Sequence, residues 1–234
     1  MTVTQTLVRL QQALVQRFGH KRRAPADYHA PEWSLVQGLI GSRMPSEVSS
    51  AVADRVLAEY GSWDKVAALS PEALAKALHG VRFPNQSAKR VHGVLGAIHA
   101  NVGKVDLSCL AAMDTPAAIA WIEALPGAGR KIAAQVLNTT TLQRPALVLD
   151  THHLRILARL GLIAEGADTA KAYDAIMPAL PSDWDAETID EHHQLMKELG
   201  REICTPKDPD CPACPVLSLC PTGQARVEPA APGN

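Results

Sequence analysis

Leucines at Leu7, Leu10 and Leu14 recur at intervals of three and four residues, the stripe of an amphipathic helix spanning Thr2 to Arg17. The same reading continues downstream. Ser46 is placed to cap a helix that runs to about Tyr60, Ser70-Pro71-Glu72 opens another, and Ser87 to Ala100 carries a third. Thr115-Pro116 starts a helix reaching Leu125, a Pro126-Gly127-Ala128-Gly129 turn follows, and a helix runs from Arg130 to about Thr140. Beyond a connection at Pro145, one helix opens at Thr151 and a last long one runs from Trp184 to Cys204. There is no internal repeat. The closing stretch from Glu228 to Asn234 is rich in Pro, Ala and Gly and reads as part of a disordered tail over 224–234.

Composition agrees with this helical pattern. Hydrophobic residues make up 47% of the chain but aromatic residues only 4%, with Ala and Leu prominent, which favours helices over sheets and predicts an all-α protein. A length of 234 residues allows one large domain or two compact lobes. No apolar run approaches the roughly 20 residues needed to span a bilayer. Met1 to Gly19 carries Gln and Arg where a secretory signal would be apolar, so a cytosolic protein without membrane attachment is expected. In that reducing compartment five cysteines are read first as a metal or redox site rather than a disulfide framework.

Charge complicates any role on nucleic acid. Lys and Arg number 23 against 24 Asp and Glu, a formal charge of −1, whereas proteins that grip phosphates usually carry a basic stripe. Basic residues gather locally at His20 to Arg23, at Arg82, Lys89 and Arg90, at Arg130 and Lys131, and at Arg155 and Arg159, while acidic ones concentrate over Asp183 to Glu191. Any one of these groups alone is read as a solvated helix face.

Four cysteines, Cys204, Cys211, Cys214 and Cys220, are separated by six, two and five residues. Four thiolates in one tight loop suit tetrahedral zinc or a cubane iron–sulfur cluster. A zinc ribbon pairs two Cys-x-x-Cys knuckles; here a single one is flanked by lone cysteines at unequal distances, which favours iron–sulfur and leaves zinc open. Cys109 stands apart and is read as a buried small hydrophobe.

The segment Leu125-Pro-Gly-Ala-Gly-Arg-Lys131 carries a second kind of chemistry. Glycine permits positive φ and close backbone approach, so Gly127 and Gly129 can turn N–H groups toward an anion at the positive end of the following helix. A plain helix-to-helix turn is the competing reading. Nineteen positions after Lys131 stands Asp150, in Asp150-Thr-His-His-Leu-Arg155. Cleaving an N-glycosidic bond develops positive charge on the sugar that a carboxylate stabilises, and an amine attacking C1′ gives a Schiff base that permits β-elimination. Lys131 and Asp150 are the residue types for those roles. Asp150 is equally an N-cap for a helix beginning at Thr151, and Lys131 equally an ordinary surface lysine.

Three features together, the cysteine spacing, the glycine turn over Leu125 to Ala133 and the run from Asp150, resemble the endonuclease III family of helix-hairpin-helix DNA glycosylases, from about Trp33 to Cys220. The resemblance implies a two-lobed all-α fold with a C-terminal 4Fe-4S cluster loop. One lobe would comprise 1–30 and 135–223, and the other 31–134, with its hairpin motif at 121–134. It further implies that Cys204, Cys211, Cys214 and Cys220 hold the cluster, that Gly127, Gly129 and Arg130 grip the DNA backbone, and that a potassium or sodium ion helps bridge hairpin carbonyls to a phosphate. Lys131 would be the nucleophile and Asp150 the assisting carboxylate of a glycosylase with AP lyase activity. Its partner would be double-stranded DNA containing damaged bases or abasic sites, bound by a monomer in the bacterial cytosol.

Several positions depart from the family pattern. Arg43 stands where a hole-filling glutamine is expected. The loop Gly80-Val-Arg-Phe-Pro-Asn85, about two residues longer than usual, offers Val81 and Phe83 as wedges for the flipped-out base. In the cysteine loop Lys207 is the sole basic candidate for a phosphate, beside Asp208 and Asp210. An oxidised-pyrimidine lesion is expected. A monofunctional uracil or mismatch glycosylase and a non-enzymatic DNA-binding iron–sulfur protein are the alternatives. His152 follows the aspartate in the family pattern; His153, His192 and His193 are read as surface or hydrogen-bonding residues rather than metal ligands.

Overall fold

The computed structural model describes residues 1–227. Among these the chain is helical, without a strand; one isolated parallel bridge joins His29 and Thr140. Two compact units result, one from 1–24 and 145–234 and the other from 25–144. These boundaries differ from those read off the sequence. The helix Arg130–Asn138 is unbroken and packs on Pro31–Ile40, so residues 135–138 stay with the hairpin unit.

The first unit begins with α1 (Val3–Phe18), closed by a reciprocal capping box between Thr2 and Gln5. The second unit then runs through α2 (Pro31–Ile40), α3 (Ser46–Tyr60), α4 (Trp63–Ala67), α5 (Pro71–Ala77), α6 (Pro84–Val102), α7 (Thr115–Glu123) and α8 (Arg130–Asn138). The chain returns to the first unit with α9 (Thr151–Arg159), α10 (Thr169–Ile176), α11 (Ala186–Glu202) and α12 (Pro221–Val227). The expected tail is helical over 224–227; Glu228 to Asn234 lie outside the described residues.

Within the second unit α2 is the hub, packed by α3, α6 and α8. Trp33, Leu35, Val36, Leu39 and Ile40 are all buried, and burial on most sides explains why no one-sided stripe announces this helix in the sequence. α8 passes close to Gly38, where a Cβ would be in ordinary contact with Gln135 at 3.4 Å and Ile132 at 3.5 Å. Gln135 then donates to Gln37 at 2.7 Å, and Gln37 donates to Ser49 at 2.8 Å, tying α8 through α2 to α3. Ser46 is not the cap expected of it; Pro45 holds that position, and Ser49 donates to the Ser46 carbonyl. α6 opens at Pro84, earlier than Ser87, because proline is suited to a first helical turn.

In the first unit the α1 stripe of Leu7, Leu10 and Leu14 is fully buried and packs on α11. Each such leucine contributes about 1.5–3 kcal/mol relative to exposure. α11 also buries two carboxylates, Asp190 at 1% and Glu191 at 4% exposure. Arg23 donates to both oxygens of Asp190 at 2.9 and 3.2 Å, and the Lys21 amide and His20 ring reach Glu191 at 2.9 and 2.8 Å. Arg23 is thus the charge partner of α11, while the side chains of His20, Lys21 and Arg22 remain largely exposed. No described helix is long and apolar enough to cross a membrane.

Candidate active site

The hairpin forms between α7 and α8. Asp114, rather than Thr115, caps α7 by accepting from the Ala117 amide at 2.8 Å. Leu125 and Ala128 bury into the unit and pin the turn, while Gly127 takes φ +89°. That left-handed conformation favours glycine, and a Cβ there would meet the Arg90 stem at 3.0 Å. Gly129 caps α8 with no side-chain bond. The Ile132 and Ala133 amides donate to the Gly129 carbonyl at 2.9 and 3.0 Å, and the positive end of the α8 dipole lies at this turn with no side chain capping it.

Lys131 stands on that first turn, half-buried, with no hydrogen bond or ion pair to any described residue. Arg130 beside it is committed elsewhere: its guanidinium donates to both carboxylate oxygens of Glu123 at 2.9 and 3.1 Å. Such a bidentate pair spends the fork that a phosphate would use.

Three other predicted contacts sit in this unit. Arg43 is exposed at φ +58°, a backbone conformation uncommon outside glycine, and its carbonyl accepts from Arg82 at 3.4 Å. The Arg82 guanidinium lies 5.5 Å from the centre of the Phe83 ring. Phe83 is 37% exposed, whereas Val81 is 6% exposed and packs inward, so of the two wedge candidates only Phe83 is presented outward.

Asp150 belongs to the other unit, at the N-terminus of α9. Its Oδ1 accepts from the His152 amide at 2.8 Å and the His153 amide at 3.1 Å, the N-cap geometry expected of it, and also faces His153 Nδ1 at 3.2 Å. Burial pushes Asp150 up, but the His153 hydrogen bond and the nearby His153 and His193 outweigh it and hold the carboxyl well below the usual range. It stands ionised, with its side chain 16% exposed.

Behind it lie three buried imidazoles. His153 stacks on His193 at 4.9 Å and 13°, and meets His192 edge-on at 6.2 Å. His193 donates to the Val148 carbonyl at 2.8 Å, and His192 lies 2.9 Å from the Gln11 oxygen. Burial, with His153 beside it, pushes His192 down to about 3, so this ring is neutral. Asp150, His153 and His193 offer ligand atoms within 4.8 Å of one another, but stacked rings aim their in-plane lone pairs side by side rather than at a common point.

Farther along α9, Arg155 and Arg159 staple the cysteine loop. Arg155 donates to the carbonyls of Cys204 at 2.9 Å and Gly200 at 2.8 Å; Arg159 donates to Thr205 at 2.7 Å, Pro206 at 3.0 Å and the Cys204 sulfur at 3.1 Å. The sequence marks both only as a basic pair, because their acceptors lie more than forty positions away. Gly200 must be glycine for α9 to seat, since a Cβ would fall 2.5 Å from His152 Nδ1.

Cys204, Cys211, Cys214 and Cys220 line one pocket together with Ile203, Leu217 and Arg159, and none of the four is in a disulfide. Burial, with the neighbouring cysteines adding to it, pushes Cys214 up to about 11 and raises Cys220. Four soft donors gathered where bare thiolates are disfavoured fit a cationic metal centre that would supply the missing positive charge. Lys207 is exposed on the rim of that loop among Asp208 and Asp210. Cys109 is half-buried and lies in the other unit.

Comparison with known proteins adds a further line. Residues 36–181 match the profile of a family described as HhH-GPD superfamily base excision DNA repair protein. The chain is 27% identical to Endonuclease III of Rickettsia conorii over 190 residues, 81% of this chain and 83% of that protein. It is 37% identical to Endonuclease III of Bacillus subtilis over 103 residues, 44% of each chain. Its fold matches a solved non-covalent Endonuclease III–DNA complex with a TM-score of 0.77 at 22% identity, covering 98% of this chain and 100% of that one. It also matches a thermostable thymine-DNA glycosylase with a TM-score of 0.74 at 16% identity, covering 94% and 98%.

Proposed function

Because this chain belongs to the HhH-GPD superfamily of base excision DNA repair proteins, we propose that it is a DNA glycosylase with AP lyase activity acting on damaged duplex DNA. The observation that carries this reading is the partnerless Lys131 on the first turn after a glycine hairpin. A lysine used as a nucleophile must be reachable and able to shed its proton, and one unpaired at the first turn after a hairpin is placed for that role.

In this reading the glycine turn and the positive end of α8 hold a phosphate, where carbonyls of the hairpin would hold a potassium or sodium ion that supplies further positive charge, and a base is turned out of the stack. The glycosidic C1′–N bond breaks as the Lys131 amine forms a bond to C1′. The electron pair leaves with the base, which takes up a proton, and ionised Asp150 stabilises the positive sugar and accepts the proton released from the amine. The sugar ring opens to a Schiff base, loss of a C2′ proton follows, and the C3′–O bond breaks with the 3′-phosphate as leaving group. Phe83 and Arg43 are the outward-facing candidates to fill the space left by the base. Cys204, Cys211, Cys214 and Cys220 would hold a 4Fe-4S cluster, which supplies a cross-link ordering the last loop. Arg130, paired to Glu123, serves the hairpin's shape rather than the phosphate.

Duplexes each carrying one oxidised pyrimidine, uracil, mismatched base or abasic site test the proposal directly. At stoichiometric enzyme, strand scission without added alkali at the abasic site and at one or more oxidised pyrimidines is expected. Base release that needs alkali to break the strand would remove the lyase half, and an intact panel would remove both.

A further inference from the structure

Asp150 is held by one more bond than an N-cap needs. All three of its protein donors fall on Oδ1: the amides of His152 and His153, and His153 Nδ1. Oδ2 takes no donor from any described residue. A capping carboxylate held by backbone amides alone keeps a broad terminal torsion about Cβ–Cγ. A side-chain donor lying on the same oxygen narrows that torsion, since rotation between the two equivalent half-turn positions would break it.

The donor is itself fixed. His153 is 0% exposed, lies flat on His193 and edge-on to His192, and those two rings are anchored to Val148 and Gln11. A carboxylate only accepts, so Nδ1 carries the proton and donates it. Nε2 is buried and has no hydrogen-bond partner among the described residues. An apolar side chain would fill this pocket without stranding a polar atom, so packing alone gives no reason for a histidine here.

We infer that His153 is a positioning residue that locks the Asp150 carboxylate with Oδ1 engaged and Oδ2 turned outward as the working oxygen. This rests on the reading of Asp150 as the assisting carboxylate. The charged and titratable groups around the pair are Asp150 at the cap, His192 and His193 from α11, and His152 and Arg155 on the same helix as His153; Arg155 lies 3.2 Å from His152 Nδ1 and is directed to the Cys204 and Gly200 carbonyls.

The test is single-turnover strand scission of abasic-site duplex by the full chain, measured across pH for His153→Leu, His153→Asn, His153→Gln and Asp150→Asn. An asparagine amide reaches about where Nδ1 sits, while glutamine places its amide nearer Nε2. His153→Leu is expected to lower the saturated rate about 10–100-fold, on the scale of losing a preorganised group. The DNA concentration for half-saturation should change less than about twofold, because the residue touches no substrate. The acid limb of the profile should move to higher pH, since one of the bonds favouring ionised Asp150 is gone. His153→Asn should recover most of the rate and His153→Gln should not, a contrast that stands even if His153→Leu fails to fold. Equal rates for the Asn and Gln variants, or a wild-type rate and profile for His153→Leu with Asp150→Asn inactive, would overturn the inference alone. An active Asp150→Asn would overturn the reading of Asp150 beneath it.

Discussion

Lys131 and Asp150 stand in opposite kinds of surroundings. At the hairpin the backbone does the holding: a left-handed Gly127, a bare cap at Gly129, and a lysine with no partner. At the start of α9 a carboxylate accepts two backbone bonds and one side-chain bond, and the buried rings of His153 and His193 lie beside it. The contrast fits the proposed chemistry. A nucleophile that must cross to a carbon and lose a proton gains from freedom, whereas a charge that stabilises a transition state gains from being fixed beforehand.

Breaking the free side of this contrast should have the larger consequence. Lys131→Ala should lower single-turnover lyase activity by at least about 10³-fold, as expected for removal of a covalent nucleophile, while leaving melting temperature and abasic-DNA binding close to wild type. On the fixed side, Asp150→Asn still caps α9 but removes the negative charge, and a loss of about 10²–10⁴-fold in the same assay is expected. Its stability effect has a definite sign. The folded carboxyl is depressed below its ordinary 3.8, so ionised Asp150 contributes stability fully above that pH and loses it as pH falls through the folded value. Urea midpoints of wild type and Asp150→Asn should therefore differ at pH 7 and converge toward strong acid.

Two further variants sharpen the comparison through stability. Arg23→Ala leaves the buried Asp190 carboxylate without its cation, with the Gln194 amide still donating to it, and should cost about 3 kcal/mol in urea unfolding without touching either catalytic candidate. Gly127→Ala places a Cβ against Arg90 at positive φ; a cost of about 1–2 kcal/mol is expected, with weaker binding of undamaged DNA. A stability loss without any change in DNA binding would show that the turn only joins two helices.

Local chemistry was readable in the chain; long-range compensation was not. The α1 stripe, the glycine turn, the cap at Asp150 and the grouping of four cysteines each follow from residues within one turn or loop. α2 escaped because a helix buried on most sides has no polar face to mark its period, and α4 and α10 because five and eight residues give too few repeats. The starts of α3 and α6 differ from the sequence reading because Pro45 and Pro84 compete with nearby serines for the same signal, whereas α7 opens at Thr115 as read. The segment His20 to Arg23 looks basic until α11, some 167 positions later, supplies Asp190. The value of His153 depends on rings from α11 that nothing near it in sequence reveals.

Borohydride reduction of the chain on abasic-site duplex, followed by peptide mapping of the cross-linked adduct, tests the central claim most directly. The account predicts a covalent adduct whose deoxyribose remnant lies on Lys131. No adduct, or one carried by another amine and undiminished in Lys131→Ala, would contradict it.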